Sequence, residues 1–202
     1  MAKRARCDNC LKASSACICH TIKAINNVHR LHILQDPSEE KKAIGTARIL
    51  KLSLKNVQLS VGELFNEQEF DLNNCYLLFP SDEAISATQC NKQFRLNDQS
   101  VFILLDGSWK KAYKLLMSNP FLQALPRVSI DADAKSNYRL RKSPRDDGLS
   151  TVEAGYYLLS QLEDDTDKFF PLLESFEYMI DYQISKMPAD LYRRHYLDKT
   201  KD

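Results

Sequence analysis

The sequence predicts an α/β fold with a mainly parallel sheet flanked by helices. Short apolar segments alternate along the chain with longer segments whose apolar residues recur at helical spacing. The segment VFILL, residues 101–105, is apolar on both faces, as expected for a central strand of a parallel sheet. The 202 residues suffice for one such domain with a small appendage.

The individual elements are predicted from these patterns and from their Pro, Asn and Ser boundaries. Segment RLHILQD is the first strand and ends before Pro37, after which Asp36 or Ser38 caps a helix over residues 39–54. The helix that follows VFILL ends at Asn119-Pro120. Further strands are expected at residues 56–60, 74–80 and 127–130, and further helices at residues 108–119, 150–164 and 169–187, before a loosely attached tail from residue 188.

Charge and hydropathy limit the cellular locations and the kinds of partner that the sequence predicts. No apolar run approaches the roughly 20 residues needed to cross a bilayer, so no membrane partner is predicted. The opening segment MAKRARCDNC lacks the apolar stretch of a secretory leader, so the predicted location is cytoplasmic. The formal net charge is +1, but this average hides the segment KSNYRLRKSPR, residues 135–145, which carries five basic residues and no acid. No pattern predicts an oligomeric state.

Four of the six cysteines lie in the segment CDNCLKASSACIC. In a cytosolic chain this clustering favours a metal over a set of disulfides. Cys7 and Cys10 have the two-residue spacing of a zinc knuckle. Cys17 and Cys19 are only one residue apart, and His20 is an alternative ligand to one of them. Four thiolates would close the coordination sphere, so we predict a structural zinc site.

Ligands of parallel α/β sheets bind beyond the carboxyl ends of the strands. Three predicted loops lie there, and the last of them is DGSW, residues 106–109. Gly107 permits a tight turn and Ser108 is a good N-cap, so helix capping accounts for both small residues. Capping does not account for Trp109, the only tryptophan of the chain, for which core packing is the alternative to a ligand contact.

Capping and ligand binding also compete in the segment SPRDDGLSTVEA. Ser150 and Glu153 have the Ser-x-x-Glu spacing of a capping box. An open helix N-terminus would instead present its N–H groups to a carboxylate. Just upstream, YRLRKSPR places Arg139 and Arg141 on one side of an extended segment, which is either a solvated surface or a phosphate-binding segment.

The order of these motifs is more specific than any one of them. The chain resembles the DTW-domain family, named for an Asp-x-Thr-Trp motif, in a series that begins with the cysteine knuckles and continues with TARILKLSL, LLFPSDEA, LLDGSWKKAYKLLMSNPFLQALPRVSI and YRLRKSPRDDGLSTVEA. The resemblance extends over about residues 6–162. Two positions depart from the family: its threonine is Ser108 here, which keeps the hydroxyl, and its His-Pro-x-Glu is replaced by DPSE, residues 36–39.

The resemblance implies a tRNA-uridine aminocarboxypropyltransferase. Such enzymes transfer the 3-amino-3-carboxypropyl group of S-adenosylmethionine to N3 of a tRNA uridine and release methylthioadenosine. The resemblance further implies a SPOUT-like fold with a C-terminal knot that holds this cofactor. tRNA and S-adenosylmethionine are then the partners, with structural Zn²⁺ in a module of residues 1–24 and catalysis in a domain of residues 25–202.

The predicted site follows from these motifs. Asp106 is either the general base for N3 or the group that binds the donor's ammonium, and Trp109 stacks on a base or covers the sulfonium. Ser150 and Thr151 are the candidate carboxylate anchors. The predicted catalytic residues are Asp106, Ser108 and Trp109; the cofactor-binding residues are Leu78, Phe79, Pro80, Ser81, Leu105, Gly107, Leu149, Ser150, Thr151 and Glu153; the metal ligands are Cys7, Cys10, Cys17 and Cys19; and the RNA contacts are Arg139, Arg141, Lys142, Arg145, Lys110 and Lys111.

Two other functions compete with this prediction. A SPOUT-class RNA methyltransferase would use the same cofactor and transfer a different carbon. A non-catalytic zinc-containing RNA-binding protein would bind RNA and no cofactor. Cofactor binding and the carbon transferred distinguish the three.

Overall fold

A computed structural model of the chain describes residues 5–94, 96–131 and 148–188. Its strands are β1 (Arg30–Gln35), β2 (Val57–Val61), β3 (Cys75–Leu78), β4 (Ile85–Ser86), β5 (Val101–Asp106) and β6 (Arg127–Ser129). They form one six-stranded sheet in the order β2-β1-β5-β3-β6-β4, and every strand pair is parallel. The predicted α/β class with a parallel sheet is confirmed.

The α-helices lie between the strands and after β6. Within the described residues they are α1 (Ala47–Ser53), α2 (Ala87–Gln93), α3 (Trp109–Ser118), α4 (Pro120–Ala124), α5 (Thr151–Glu163) and α6 (Thr166–Ser185). None of these helices combines the length and the hydropathy that a membrane span requires.

The helices cover both faces of the sheet, because successive side chains of a strand point to opposite faces. On one face, Leu31, Ile33 and Phe102 are buried against α1, α5 and α6. On the other face, Leu34 and Ile103 are buried against α3 and α4. β1 and β5 pair along six residues each at the centre, which explains why VFILL is apolar on both sides.

The helix predicted over residues 39–54 is wrong in its first half, because α1 begins only at Ala47. The preceding residues form turns, which start where the Asp36 carboxylate accepts the Ser38 N–H at 3.0 Å. This local bond offers the backbone an alternative to helix. A second turn closes where the Gly45 N–H donates to the Lys42 carbonyl at 3.1 Å. Residues 36–46, called the β1–α1 loop below, therefore stay at the edge of the sheet.

The N-terminal segment packs on the helical layer. Cys10 and Ile18 are buried in the same apolar cluster as the inner face of α6. The Ser175 hydroxyl of α6 donates to the Thr21 carbonyl at 2.8 Å. The division of the chain after residue 24 stays a prediction. The C-terminal knot stays one too, because residues 132–147, which lead into α5, lie outside the described residues.

Candidate active site

The carboxyl ends of the parallel strands lie at one edge of the sheet, where a cavity of about 250 Å³ opens. Two of the predicted loops meet there, because the Asp36 N–H donates to the Asp106 carbonyl at 3.0 Å. The cavity wall includes Trp109 and seven of the predicted cofactor-binding residues: Leu78, Phe79, Pro80, Leu105, Gly107, Leu149 and Thr151. The rest of the wall comes from Leu104, Ala112, Ala154 and the end of β6, Val128 to Asp131.

The other three predicted cofactor-binding residues do not line this cavity. Ser81 is exposed in the loop after β3. Ser150 and Glu153 form the capping box that their spacing predicts, in which the Ser150 N–H donates to Glu153 Oε2 at 2.7 Å. Both are 1% exposed, so they lie at the start of α5 behind the cavity wall. Their capping places Thr151, the first residue of α5, at the cavity surface.

Asp106 ends β5 and is 5% exposed, behind the cavity wall. Among the described residues, two neutral side chains donate to its carboxylate. Gln35 Nε2 donates to Oδ2 at 2.7 Å, and the Thr151 hydroxyl donates to Oδ1. Because Thr151 lines the cavity while Asp106 does not, Thr151 stands between the carboxylate and the cavity. Its only proton is directed at Asp106, so toward the cavity its oxygen can only accept a hydrogen bond.

Ser108 and Trp109 begin α3 at the mouth of the cavity. Ser108 is the N-cap residue, and its carbonyl accepts the N–H groups of Lys111 and Ala112, both at 2.8 Å. Trp109 meets the Phe79 ring edge to face, with 6.0 Å between centroids. The Arg127 guanidinium carbon lies 5.4 Å from the same Phe79 ring centroid, within cation–π range. The mouth therefore carries two aromatic rings and a cation.

Lys111, a predicted RNA contact, points toward the β1–α1 loop. Its ammonium donates to Glu39 Oε1 at 2.8 Å and to the Ser38 hydroxyl at 2.6 Å. Lys110 is exposed. The other predicted RNA contacts, Arg139, Arg141, Lys142 and Arg145, lie outside the described residues. Lys111 thus fixes the β1–α1 loop to α3 beside the cavity.

The ionisation of Glu39 predicts how this link responds to acid. Burial alone would raise the pKa of Glu39, but the Lys111 and Lys42 ammonium groups outweigh it and hold the pKa below its ordinary value of 4.5. A carboxyl whose pKa falls on folding contributes stability that is complete above the unfolded pKa and is lost as pH falls through the folded pKa. The contribution of Glu39 is therefore present at neutral pH and absent in acid.

We expect Glu39→Gln to lower the free energy of unfolding at pH 7 by about 1–2 kcal/mol, because a hydrogen bond to a charged group contributes about 1.5–3 kcal/mol and solvent screens the partly exposed Lys111. In urea unfolding at a series of pH values, the difference from the natural chain should shrink as the pH falls below about 4.5. Glu40→Gln, at an exposed neighbouring position, is the matched control and should change little. A Glu39→Gln deficit that is the same at every pH would contradict this assignment.

The four clustered cysteines form a candidate metal centre. Their sulfurs all lie within 4.8 Å of one another, with 3.6 Å between Cys7 and Cys19 and 3.8 Å between Cys10 and Cys17. Sulfurs about 2.3 Å from one zinc ion would be about 3.8 Å apart at the corners of a tetrahedron. The N–H groups of Cys10 and Asn9 lower the pKa of Cys7 to about 6, whereas burial raises the pKa of Cys19 to about 12. The spacing of the four sulfurs therefore fits a tetrahedral metal site. His20, which the sequence offered as an alternative ligand, packs on the Tyr178 ring, with 4.7 Å between the ring centroids.

A buried lysine joins this centre to the β1–α1 loop. Lys12 is 5% exposed, and its ammonium donates to the carbonyls of Ala43 and Gly45 at 2.7 and 3.1 Å. Burial lowers the pKa of Lys12 to about 8, and the nearby Cys10 opposes this shift. The loop is therefore held from two sides, by Lys12 and by Lys111 of α3.

Sequence reasoning missed two contributors to the site. Gln35 was assigned only to a strand, although a polar residue at the end of an apolar strand is a signal that its side chain has a partner at the sheet edge. The end of β6 was not counted among the ligand-binding loops, yet Ile130 and Asp131 line the cavity. The signal there was the position of RVSI, because every parallel strand delivers its carboxyl end to the same edge.

The comparison with known protein families identifies the family of the chain. The sequence model of the DTW domain family matches residues 4–184. The chain belongs to the DTW domain family. The DTW motif itself is the turn DGSW between β5 and α3, and the match runs from the metal centre to α6. No solved structure shows a significant match to the chain.

Several curated relatives of this DTW domain carry a functional name. The chain is 26% identical over 211 aligned positions to tRNA-uridine aminocarboxypropyltransferase 2 of Drosophila melanogaster, covering 98% of this chain and 82% of the relative. It is 24% identical to the protein of the same name from Macaca fascicularis, covering 90% of this chain and 64% of that relative. It is also 24% identical to tRNA-uridine aminocarboxypropyltransferase A of Arabidopsis thaliana, covering 82% and 75%. The chain thus spans just under two thirds of the macaque relative's length.

Proposed function

We propose that this DTW domain is a tRNA-uridine aminocarboxypropyltransferase that uses S-adenosylmethionine and modifies N3 of a uridine. The single observation that carries the proposal is the cavity at the carboxyl edge of the sheet, where Thr151 presents an oxygen backed by the Asp106 carboxylate. The names of the relatives supply the reaction class and the RNA substrate.

The residues around the cavity fit such a donor. Leucine, valine, isoleucine and aromatic side chains make up most of the wall, and its volume of about 250 Å³ is near the lower end of small-molecule sites, about 300 Å³. When bound there, S-adenosylmethionine supplies a carbon made electrophilic by the adjoining sulfonium. Trp109, whose ring meets Phe79 at 6.0 Å between centroids, can offer its ring face to the sulfonium cation. The apolar wall excludes water from the reacting carbon.

Thr151 and Asp106 account for the proton that N3 must lose. The reaction forms a bond from N3 to the transferred carbon and breaks the bond from that carbon to sulfur, whose electron pair stays on sulfur. The N3 proton leaves at the same time. We assign its acceptance to the Thr151 oxygen, with the hydroxyl proton of Thr151 moving to Asp106 Oδ1. Gln35 fixes the other carboxylate oxygen and so the orientation of Asp106.

We propose a structural role for the metal centre. Cys7, Cys10, Cys17 and Cys19 would hold Zn²⁺ and leave no coordination position for a substrate. None of the four lines the cavity at the sheet edge. The ion would therefore fix the conformation of the N-terminal segment. Lys12 in that segment would then hold the β1–α1 loop in place through its hydrogen bonds to the loop carbonyls.

Two separately labelled donors test the function. Purified protein is incubated with unmodified tRNA and S-adenosylmethionine that carries the label either in the carboxyl carbon or in the methyl group. We expect carboxyl label in the tRNA and no methyl label. Methyl label in the tRNA would instead identify a methyltransferase. Binding of tRNA without transfer of either label, and without binding of the donor, would identify a non-catalytic RNA-binding protein.

A further inference from the structure

Helix α3 exposes an apolar row that does not contribute to its packing on the sheet. Trp109, Tyr113 and Met117 are spaced four residues apart, so they lie along one face of the helix. Tyr113 is 57% exposed and Met117 is 48% exposed. The helix packs on the sheet through its buried residues Ala112, Leu115 and Leu116, whereas Tyr113 and Met117 lie to the solvent side of them. A large aromatic and a methionine in line on a surface helix suggest a surface that a partner covers.

The row begins in the active site. Trp109 lines the cavity, and its ring contacts Phe79 at the mouth. Each step of four residues along a helix advances about 6 Å, so Tyr113 lies about one turn and Met117 about two turns from the cavity. A polymer that places one unit at the mouth of the cavity, against Trp109, can therefore lay its next units along this row.

The charge on this face indicates the kind of chain. α3 contains three lysines and no acidic residue. Lys110 is exposed beside the row. Lys114 pairs with Glu63 at 2.8 Å, but both side chains are more than half exposed, so solvent screens the pair and a phosphate can replace Glu63. Lys111 lies on the other side of the helix with Glu39 and is already engaged.

We infer that Tyr113 and Met117 form a stacking surface for the nucleotides next to the target uridine, in an unpaired segment of the tRNA. Lys110 and Lys114 would hold the phosphates of the same segment. Single-stranded RNA is bound in this way, by aromatic faces for the bases and cations for the backbone. The inference rests on the proposed function and specifies how its RNA substrate is held.

A second copy of the chain is a less suitable occupant. A two-fold contact through this face would place α3 against α3. The lysines of the two helices would then lie close to one another, and because Lys111 and Lys114 are paired with Glu39 and Glu63, the repulsion would come mainly from Lys110. An RNA backbone has the opposite charge and meets no such repulsion.

The test measures affinity for unmodified tRNA transcripts by fluorescence anisotropy at fixed salt. We expect Tyr113→Ala to weaken binding by about fivefold to a hundredfold, the loss of one base–aromatic stack. Tyr113→Phe keeps the ring and should restore most of the affinity. The matched control is Phe170→Ala, at a 51% exposed aromatic of α6 on the other face of the sheet, and it should bind tRNA like the natural chain. Circular dichroism and the melting temperature verify the fold of each variant.

Three outcomes would overturn the inference. If the natural chain and Tyr113→Ala bind tRNA equally, the stacking surface is wrong while the proposed function stands. If light scattering shows that Tyr113→Ala turns a dimer into a monomer without changing tRNA affinity, the row is a self-association surface. If the natural chain binds no tRNA and transfers neither label, the proposed function and the inference fail together.

Discussion

Asp106→Asn is expected to lower the rate of aminocarboxypropyl transfer by about a hundredfold to ten-thousandfold, the contribution of a positioned general base. The substitution preserves the size of the side chain and removes its charge. The Thr151 hydroxyl would then lose the carboxylate that accepts its proton. The N3 proton would lose its proposed route through Thr151 to Asp106, although the substrates would still fit. The measurement is single-turnover transfer of carboxyl label to tRNA.

Donor affinity separates the two roles that the sequence left open for Asp106. Trp109 is the only tryptophan and lines the cavity, so its fluorescence should report donor binding directly. A proton acceptor can be lost with little change in donor affinity, whereas loss of an ammonium-binding group weakens donor affinity. We expect unchanged affinity and lost turnover in Asp106→Asn.

Two variants of Thr151 complete the test. Thr151→Ser keeps the hydroxyl and should retain most of the turnover, whereas Thr151→Val keeps the shape and should lose turnover as Asp106→Asn does. Near-normal turnover in Thr151→Val would show that the proton does not pass through this residue. Near-normal turnover in Asp106→Asn would remove Asp106 from the mechanism.

The sequence predicted the sheet and most of its helices because their pattern of apolar residues comes from side chains that are buried in the core. β5 and α3 were predicted within a residue or two, since VFILL and the Asn119-Pro120 stop are strong local signals. β4 and α4 carry no comparable signal, because two and five residues are too short for a period to be recognised. The β1–α1 loop was misread as helix because Glu39 and Lys42 favour helix locally, whereas Lys111 and Lys12 hold the loop through contacts distant in sequence.

The same distinction applies to the site. The wall at Phe79, Gly107 and Leu149 could be anticipated, because each follows a strand or precedes a helix at a predictable edge. The bond from Thr151 to Asp106 joins residues 45 positions apart and depends on how α5 enters the sheet edge. No spacing rule encodes it. The sequence therefore indicated where the cavity lies, whereas the hydrogen bonds among its polar groups depend on the tertiary structure.

Removal of the proposed zinc ion is expected to have the largest effect on stability. The module it would hold contributes Cys10 and Ile18 to the apolar cluster of α6, so unfolding of this segment would expose that cluster to water. Loss of a structural metal belongs to the few changes that cost more than about 4 kcal/mol. We expect a strong chelator, or Cys10→Ser, to lower the melting temperature by many degrees and to abolish the equivalent of zinc measured in the purified protein.

A buried cysteine outside the cluster provides the control. Cys90 of α2 is 0% exposed in the apolar core, and its thiol does not belong to the four-sulfur group. Cys90→Ala should cost about 1 kcal/mol, as a small core truncation does, and should leave the zinc content and the chelator sensitivity unchanged. The decisive comparison is therefore the change in melting temperature that the chelator causes in Cys10→Ser and in Cys90→Ala. If Cys10 contributed only apolar packing, the chelator would change the melting temperature of both variants equally. A natural chain that purifies without metal and melts at the same temperature with and without chelator would show that the four thiols order this segment by packing alone.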